Sequence, residues 1–577
     1  MSPDPLSYRS PRRGPGPRRA RLASALLAAS APLALGGLAA CFTIGDGLPP
    51  PLDEFYYPTG LLVSPGRSAL YVVNSDFDLQ YNGGTVLALD LAALRKNHID
   101  KLRTALNTEG TGAAQACAAL GLAPNDNPTL YPGPCKPISL GPLVAKSAVL
   151  GAFASGGVLA LRPCKDGRGA RLFVPVRGDP SITYFDIVDD RPETADCPAS
   201  DAYKPPCGDG ICLSCDANPD TSRCSGDHLV GRDPAQSQRN LTLPVEPFGI
   251  GVDDLGESLV VAHQTESLAS LVVNRWGNDA RDRATRPTLE HYVGNLPAGP
   301  TDVAALPIPR LILERWASED PAARSIDYTP AFGLSFRAAP EFDLIRYQSD
   351  EGSSAARPFI TRAFAARIGT TASSTDSRGV AVDASERQAC ESGCVTGAER
   401  EVCLRDCVEK HPLRVFMGNR APAALVTGEI ATVFTEKGLP GGGTQVTGAF
   451  EVPAFQDSVP LAFGTSRVAI GNVIDKEGKP SLRVFAVTFD SRFVFSYDPE
   501  ARRVDAVIRT GRGPQAIAFD TGEEDDGNGN KRMYSTMFVA HFTDSWVGVV
   551  DLDMRNPATF GSMFLSVGEP QPPKESQ

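Results

Sequence analysis

A strand, turn, strand, turn, strand pattern recurs along this chain, and few folds accommodate it. Its clearest copy runs Pro58-Thr59-Gly60-Leu61-Leu62-Val63-Ser64, turns at Pro65-Gly66, continues through Ala69-Leu70-Tyr71-Val72-Val73-Asn74-Ser75 and ends at Val86-Leu87-Ala88-Leu89-Asp90. Pro247 to Asp253, Leu259 to His263 and Leu271 to Val273 keep the same order, as do Gly513 to Asp520, Met537 to His541 and Trp546 to Asp551. Weaker copies begin near Gly157, Gly299, Gly379 and Val468, with second strands at Leu172-Phe173-Val174, Leu413-Arg414-Val415-Phe416 and Leu482-Arg483-Val484-Phe485-Ala486. Seven units result. The copy around residues 299–370 shows no clean second strand, which leaves six and eight as neighbouring counts. Each unit is a small antiparallel meander that cannot bury both faces alone, so stacking around an axis must supply the missing core. The expected fold is all-β, a seven-bladed β-propeller over residues 55–567, with a polar tail at 568–577.

Gly 55 and Pro 49, spread through the chain, suit many short strands joined by turns. Sandwich arrays and β-solenoids also use short strands, but they do not account for units about 70 residues apart. The length beyond a four-stranded blade falls on the cysteine-bearing stretches 97–146, 187–240 and 384–412, which read as loop insertions. The Gly-hydrophobic-x-hydrophobic-Asp strand, then Leu-Tyr-Val-x-Asn, then a hydrophobic strand ending in Asp together resemble the YVTN-type repeats of bacterial surface propellers. That resemblance spans most of residues 55–567.

The N-terminus carries a different signal. Arg9, Arg12, Arg13, Arg18, Arg19 and Arg21 form a basic region without an acid, and residues 22–40 then run through Leu, Ala, Gly and Ser without a charge. Leu38-Ala39-Ala40-Cys41 resembles the bacterial lipobox at all four positions. The resemblance implies a signal peptide over residues 1–40, cut before Cys41, whose thiol receives a diacylglyceryl group and palmitate-type acyl chains. Residues 41–54 then form a lipid-anchored linker with a Pro-rich stretch at Leu48 to Leu52. A membrane-spanning anchor fits less well, because the segment is barely long enough and contains Pro32, Gly36 and Gly37. Phe42, a non-aspartate after the cysteine, is similar to what outer-membrane sorting permits. Arg18-Arg19-Ala20-Arg21-Leu22 partly matches a twin-arginine signal, so both export routes stay open.

With Cys41 assigned to the anchor, twelve of the 13 cysteines remain: Cys117, Cys135, Cys164, Cys197, Cys207, Cys212, Cys215, Cys224, Cys390, Cys394, Cys403 and Cys407. An even number in an exported chain is expected to pair as disulfides. Zinc is the alternative at Cys207-x4-Cys212-x2-Cys215-x8-Cys224, where Gly, Pro and Asp stand in place of packed hydrophobics. Cys390-x3-Cys394-x8-Cys403-x3-Cys407 reads as two short helices, since residues at i and i+4 share a face. Nested bonds from 390 to 407 and from 394 to 403 would staple them into an antiparallel hairpin. The segment resembles the twin Cx3C helical hairpin, and short helices of this kind need such a staple.

Catalytic chemistry is sparse. The chain has six histidines, three tryptophans, and no G-x-S-x-G elbow, Walker loop or H-E-x-x-H helix. His263 and His541 occupy one repeat position, but Asn74, Val176, Asn419 and Thr488 fill it elsewhere, so it reads as a strand-end position and not as a metal pair. Asp76, Asp179, Glu266, Asp490 and Asp544 recur just beyond it, as turn acids accepting backbone N–H bonds. The acidic run within Asp520 to Asn530 lacks the ligand order of a calcium loop and reads as a solvated hairpin. A net charge of -12 argues against nucleic acid as partner.

The expected protein is therefore no enzyme, with no catalytic residue, metal or cofactor. It is an exported, outer-membrane lipoprotein whose loops bind a protein or polysaccharide. The alternative is a metal-dependent, lactonase-like hydrolase with acids converging at the propeller axis.

Overall fold

In the computed structural model, residues 47–571 are described apart from 165–166, 196, 199–206, 209, 277–284, 320–323, 350–356, 369–374, 398, 439–443 and 526–530. The expected signal segment, Cys41, the expected linker up to residue 46, the tail from 572 and most of the acidic run at 525–530 lie outside the described residues. The second strand of the first repeat, Ala69–Asn74, shows how the chain buries itself. Successive strand residues point to opposite faces. Leu70 and Val72 enter one hydrophobic cluster, and Tyr71 and Val73 enter another. A strand buried on both faces must be hydrophobic throughout, which explains runs such as Leu259-Val260-Val261-Ala262.

Seven four-stranded antiparallel sheets result, each a simple meander of one contiguous segment: 58–149, 158–230, 247–293, 300–367, 377–460, 465–509 and 514–567. Seven hydrophobic clusters fill the seams between neighbouring sheets, and the seventh joins the last sheet to the first. The fold is a closed seven-bladed β-propeller. The repeat around 299–370 does have its second strand, Ala331–Phe336, displaced by an insertion that carries the helix Arg310–Ser318.

All twelve described cysteines are paired: 117–135, 164–197, 207–212, 215–224, 390–407 and 394–403. Cys207, Cys212, Cys215 and Cys224 thus form disulfides. The helices Ser385–Gly393 and Arg400–Lys410 carry the nested pair, with Cys394 as the residue just past the first helix. They pack with Ile312 and Trp316 and with Val446 and Ala449 of a long ribbon, Ala423–Gly438 paired with Thr444–Pro460, to form a satellite core.

The registers show that the helix-bearing and disulfide-bearing connections leave one end of the disc. The inner strand of blade 1 starts where Pro58 faces Asn74 and ends where Val63 faces Leu70. Connections from inner to second strand and from third to outer strand therefore fall at this second, far end. They hold the helices at 91–107, 113–119, 310–318 and 385–410 and all six disulfides. The opposite end has short second-to-third turns, except for residues 75–84 in blade 1.

Candidate functional site

One irregularity shared by the inner strands builds a funnel at that short-turned end. In blade 1 Pro58 pairs with Asn74 but Gly60 with Val73, so Thr59 is an extra, bulged residue. The same slip occurs at Pro300/Asp302, Ser377/Gly379, Thr465/Arg467 and Pro514/Ala516, and between Pro247 and Ile250 in blade 3. A bulge bends the strand and re-aims its side chain. The bulged Thr59, Phe248, Arg378, Ser466 and Gln515, with Ser155 from blade 2, line an upper chamber of about 230 Å³. Pro58, Pro247, Pro300 and Pro514 can open their strands because the inner edge needs no N–H toward the axis.

The next residue in each blade forms the neck. Gly60, Gly156 and Gly249 stand there with Asp302, Arg467 and Ala516. Glycine is required by close approach: a Cβ on Gly60 would lie 3.0 Å from the Gly156 Cα, and one on Gly249 would lie 2.5 Å from the Thr301 carbonyl oxygen. Arg467 reaches across the neck, with Nη1 3.5 Å from Asp302 Oδ1, while Asp302 Oδ2 accepts the Val380 N–H at 3.0 Å. Burial pushes the Asp302 carboxyl up, and Arg467 opposes that shift. Hydroxyls tie the blades together at this level. Thr59 Oγ1 donates to the Ala154 carbonyl at 3.0 Å, Ser155 Oγ to Phe248 at 3.0 Å, and Thr301 Oγ1 to Ser377 at 2.7 Å. Below the neck lies a second chamber of about 150 Å³, walled by Leu61, Ile250, Ala469 and Ile517.

The rim comes from the residue that ends the second strand in blade 5 and from the residue that follows it in the other blades. Ser75, Arg177, Arg420, Phe489 and Phe542 line the upper chamber, and Gln264 and Arg337 hold the matching places in blades 3 and 4. The rim is therefore two-sided. Over blades 6, 7 and 1 it is aromatic: the Phe542 ring lies 5.0 Å from Tyr57, 5.2 Å from Phe77 and 6.2 Å from Phe489. Phe77 remains 51% exposed. Over blades 2, 4 and 5 it is cationic. Arg177 pairs with Glu246, Arg420 with Asp490 at 2.7 Å, and Arg378 with Asp376 through both carboxylate oxygens at 2.6 and 2.9 Å. Arg337 shares that same Asp376 at 3.7 Å. Its pKa is lowered by burial and by the neighbouring Arg378, Arg420 and Arg177, against the pull of Asp376.

Neither a protein-family profile nor any curated protein matches the chain. Solved structures resemble it at low identity. A protein from Lactobacillus plantarum is 10% identical over 85% of this chain and 90% of its own, with a TM-score of 0.36. A putative 6-phosphogluconolactonase from Bacteroides fragilis is 10% identical over 80% and 86%, with a TM-score of 0.34. The β-propeller domain of Myceliophteria thermophila Cps50 (Swd1) is 8% identical over 75% and 84%, with a TM-score of 0.32. Such likenesses carry no argument about function, and the architecture rests on the seven sheets themselves.

The structure treats the sequence candidates unevenly. His263 and His541 sit in separate blades, each with partners of its own. His263 Nδ1 lies 2.9 Å from the Val245 carbonyl and Nε2 2.8 Å from Ser270 Oγ, and burial holds its pKa down at about 4. His541 stacks on Trp546 at 3.7 Å and accepts the Gly511 N–H, with burial lowering its pKa to about 3. Of the recurring acids, Asp179, Asp490 and Asp544 hold Arg232, Arg420 and Arg512 instead of turn amides. The chamber linings bring in one carboxylate, Asp302, where a lactonase-like site would need several to converge. Among the described residues, the group of metal-capable side chains that lie together is Cys394, Cys403 and Cys407, all in disulfides. The rim arginines and phenylalanines escaped the sequence reading. For all but Phe77 their signal was position: at or one residue beyond the end of a second strand, or one beyond the opening Pro, Ser or Thr of an inner strand.

Asp76 does serve the turn, accepting the Tyr81 N–H at 3.1 Å. Its backbone sits at φ 51°, a region Asn tolerates well. Burial raises its pKa to about 7. An acid with a raised folded pKa stabilises the fold fully below its unfolded value and loses that contribution as pH climbs through the folded value. Asp76→Asn should therefore melt higher than wild type at pH 8, with the gap closing toward pH 5. Thermal melts at both pH values check this, and a gap independent of pH would refute the assignment.

Proposed function

We propose that the protein is an envelope lipoprotein, tethered through Cys41, whose propeller binds a protein or polysaccharide partner without turning it over. One observation carries this reading: at the funnel end the backbone repeats from blade to blade while the side chains facing the axis do not. Phe, Arg, Ser and Gln alternate on one rigid frame, as a recognition surface requires. The funnel end thereby replaces the long disulfide-bearing loops as the favoured binding face. Those loops pack satellite cores and seams at the far end.

The reading is tested by placing a photo-crosslinking side chain at Phe77, on the rim, or at Glu109, exposed in the far-end insertion. In native cells the Phe77 position is expected to give one discrete adduct and the Glu109 position none. The reading fails if the two positions behave alike, or if purified protein hydrolyses a lactone panel on addition of a divalent cation.

A further inference from the structure

The upper chamber is open, about 230 Å³ in volume, and divided between an aromatic arc and a cationic arc. The arginines of this rim are held in ion pairs with Glu246, Asp490 and Asp376, and the pairing falls one acid short. Asp376 serves both Arg337 and Arg378, and Arg467 at the floor meets Asp302 only at 3.5 Å. With Arg337 at its edge, five arginines (Arg177, Arg337, Arg378, Arg420 and Arg467) share four carboxylates, those of Glu246, Asp376, Asp490 and Asp302. Across from them, Phe77 is half in water although its neighbours form a close ring cluster. A wet phenyl face and a guanidinium cluster one acid short thus face one chamber from opposite sides, and one molecule with a charged end and a flat apolar body satisfies both.

We propose that this chamber binds a compact amphipathic anion, a single carboxylate or phosphate carried on an aromatic or similarly flat apolar body. The inference deepens, and rests on, the reading of the propeller as a binding protein. The size is consistent, because an apolar cavity of about 150 Å³ accepts benzene and this chamber has room for a ring with a short acidic arm. Arg420 and Arg378 supply charge-assisted hydrogen bonds, and a planar guanidinium fork suits either anion. Phe77, Phe489 and Phe542 supply the apolar wall. The Arg467–Asp302 pair closes the floor, so the ligand enters and leaves by the rim.

The test is calorimetric titration of the intact secreted chain with 3-phenylpropionate, phenyl phosphate, 3-phenylpropanol and inorganic phosphate. At least one of the two aromatic anions should bind saturably, and whichever binds more tightly names the acid group. The alcohol and inorganic phosphate should each bind about tenfold more weakly or not at all. Arg420→Gln and Phe77→Ser should each weaken the anion about tenfold while leaving the thermal midpoint unchanged. The inference is overturned if neither aromatic anion binds, if the alcohol binds equally well, or if both variants bind like wild type. An adduct from Phe77 in cells without anion binding sinks this inference alone. Cation-dependent consumption of a bound probe sinks the non-catalytic reading and leaves the site standing.

Discussion

A chain with Cys41→Ser, exported on a signal peptide of the non-lipid kind in place of residues 1–40, is expected to appear wholly in the soluble fraction. The exchange of residues 1–40 matters because an uncut signal would keep its own apolar run, 22–40, in the bilayer. With that run removed, the acyl chains on Cys41 would be the remaining attachment. Each buried methylene contributes about 0.8 kcal/mol, so two long chains anchor firmly and their loss is decisive. Among the described residues no helix is long and apolar enough to cross a membrane. Folding should be untouched, because Cys41 is not needed for any of the six disulfides. Leu48, the first bridged residue among those described, pairs with Tyr81 on the turn that also carries Phe77. Fractionation after a detergent-free salt wash, with melting of the released protein, checks both halves. Persistence of the variant in the membrane pellet would refute the anchor.

The fold was legible where two buried faces force continuous apolar runs. Leu70-Tyr71-Val72-Val73 and Met537-Phe538-Val539-Ala540 have no polar alternative because each residue enters one seam or the other. Blade 4 hid its second strand for two physical reasons. Residues 306–330 separate it from its inner strand, and Gly333 interrupts the pattern because a Cβ there would strike the Phe342 ring at 2.2 Å. The nested pair 390–407 and 394–403 could be read from helical spacing. The pair 164–197 could not, since its partners lie in different connections of blade 2. The funnel was hidden for a deeper reason. Side chains that face the axis leave the two-fold strand pattern through a bulge, and a bulge is a property of register between strands. Arg467 and Asp302 meet across the neck although they are far apart in sequence, and nothing local marks either of them.

Replacing Leu102 by Ala should open the ring at one seam and spare the others. Adjacent blades elsewhere are joined by the chain itself, but blades 7 and 1 are each complete sheets, and no strand crosses between them. The insertion in blade 1 acts as the clasp. Its Leu91, Leu94, Ile99 and Leu102 pack with Phe538, Val547, Val549 and Leu565 of blade 7 in one cluster. Polar contacts fix the fit: Arg95 meets Asp520 at 2.7 Å, Arg103 Nη2 donates to Thr536 Oγ1 at 2.8 Å, and Asn107 Nδ2 donates to Thr559 Oγ1 at 2.9 Å. Ile138 then bridges Val567 beside the Cys117–Cys135 disulfide. Leu102 is fully buried at the centre, so its truncation should cost about 2–5 kcal/mol. Because chain continuity cannot hold this seam, the loss should concentrate there as local opening. Hydrogen exchange is expected to show lost amide protection in 58–90 and 536–567, with 331–348 and 413–430 still protected. Leu344→Ala, equally buried between blades 4 and 5, supplies the comparison, since its seam is bridged by the chain. If both variants lose protection evenly around the ring, the clasp has no special place in holding it shut.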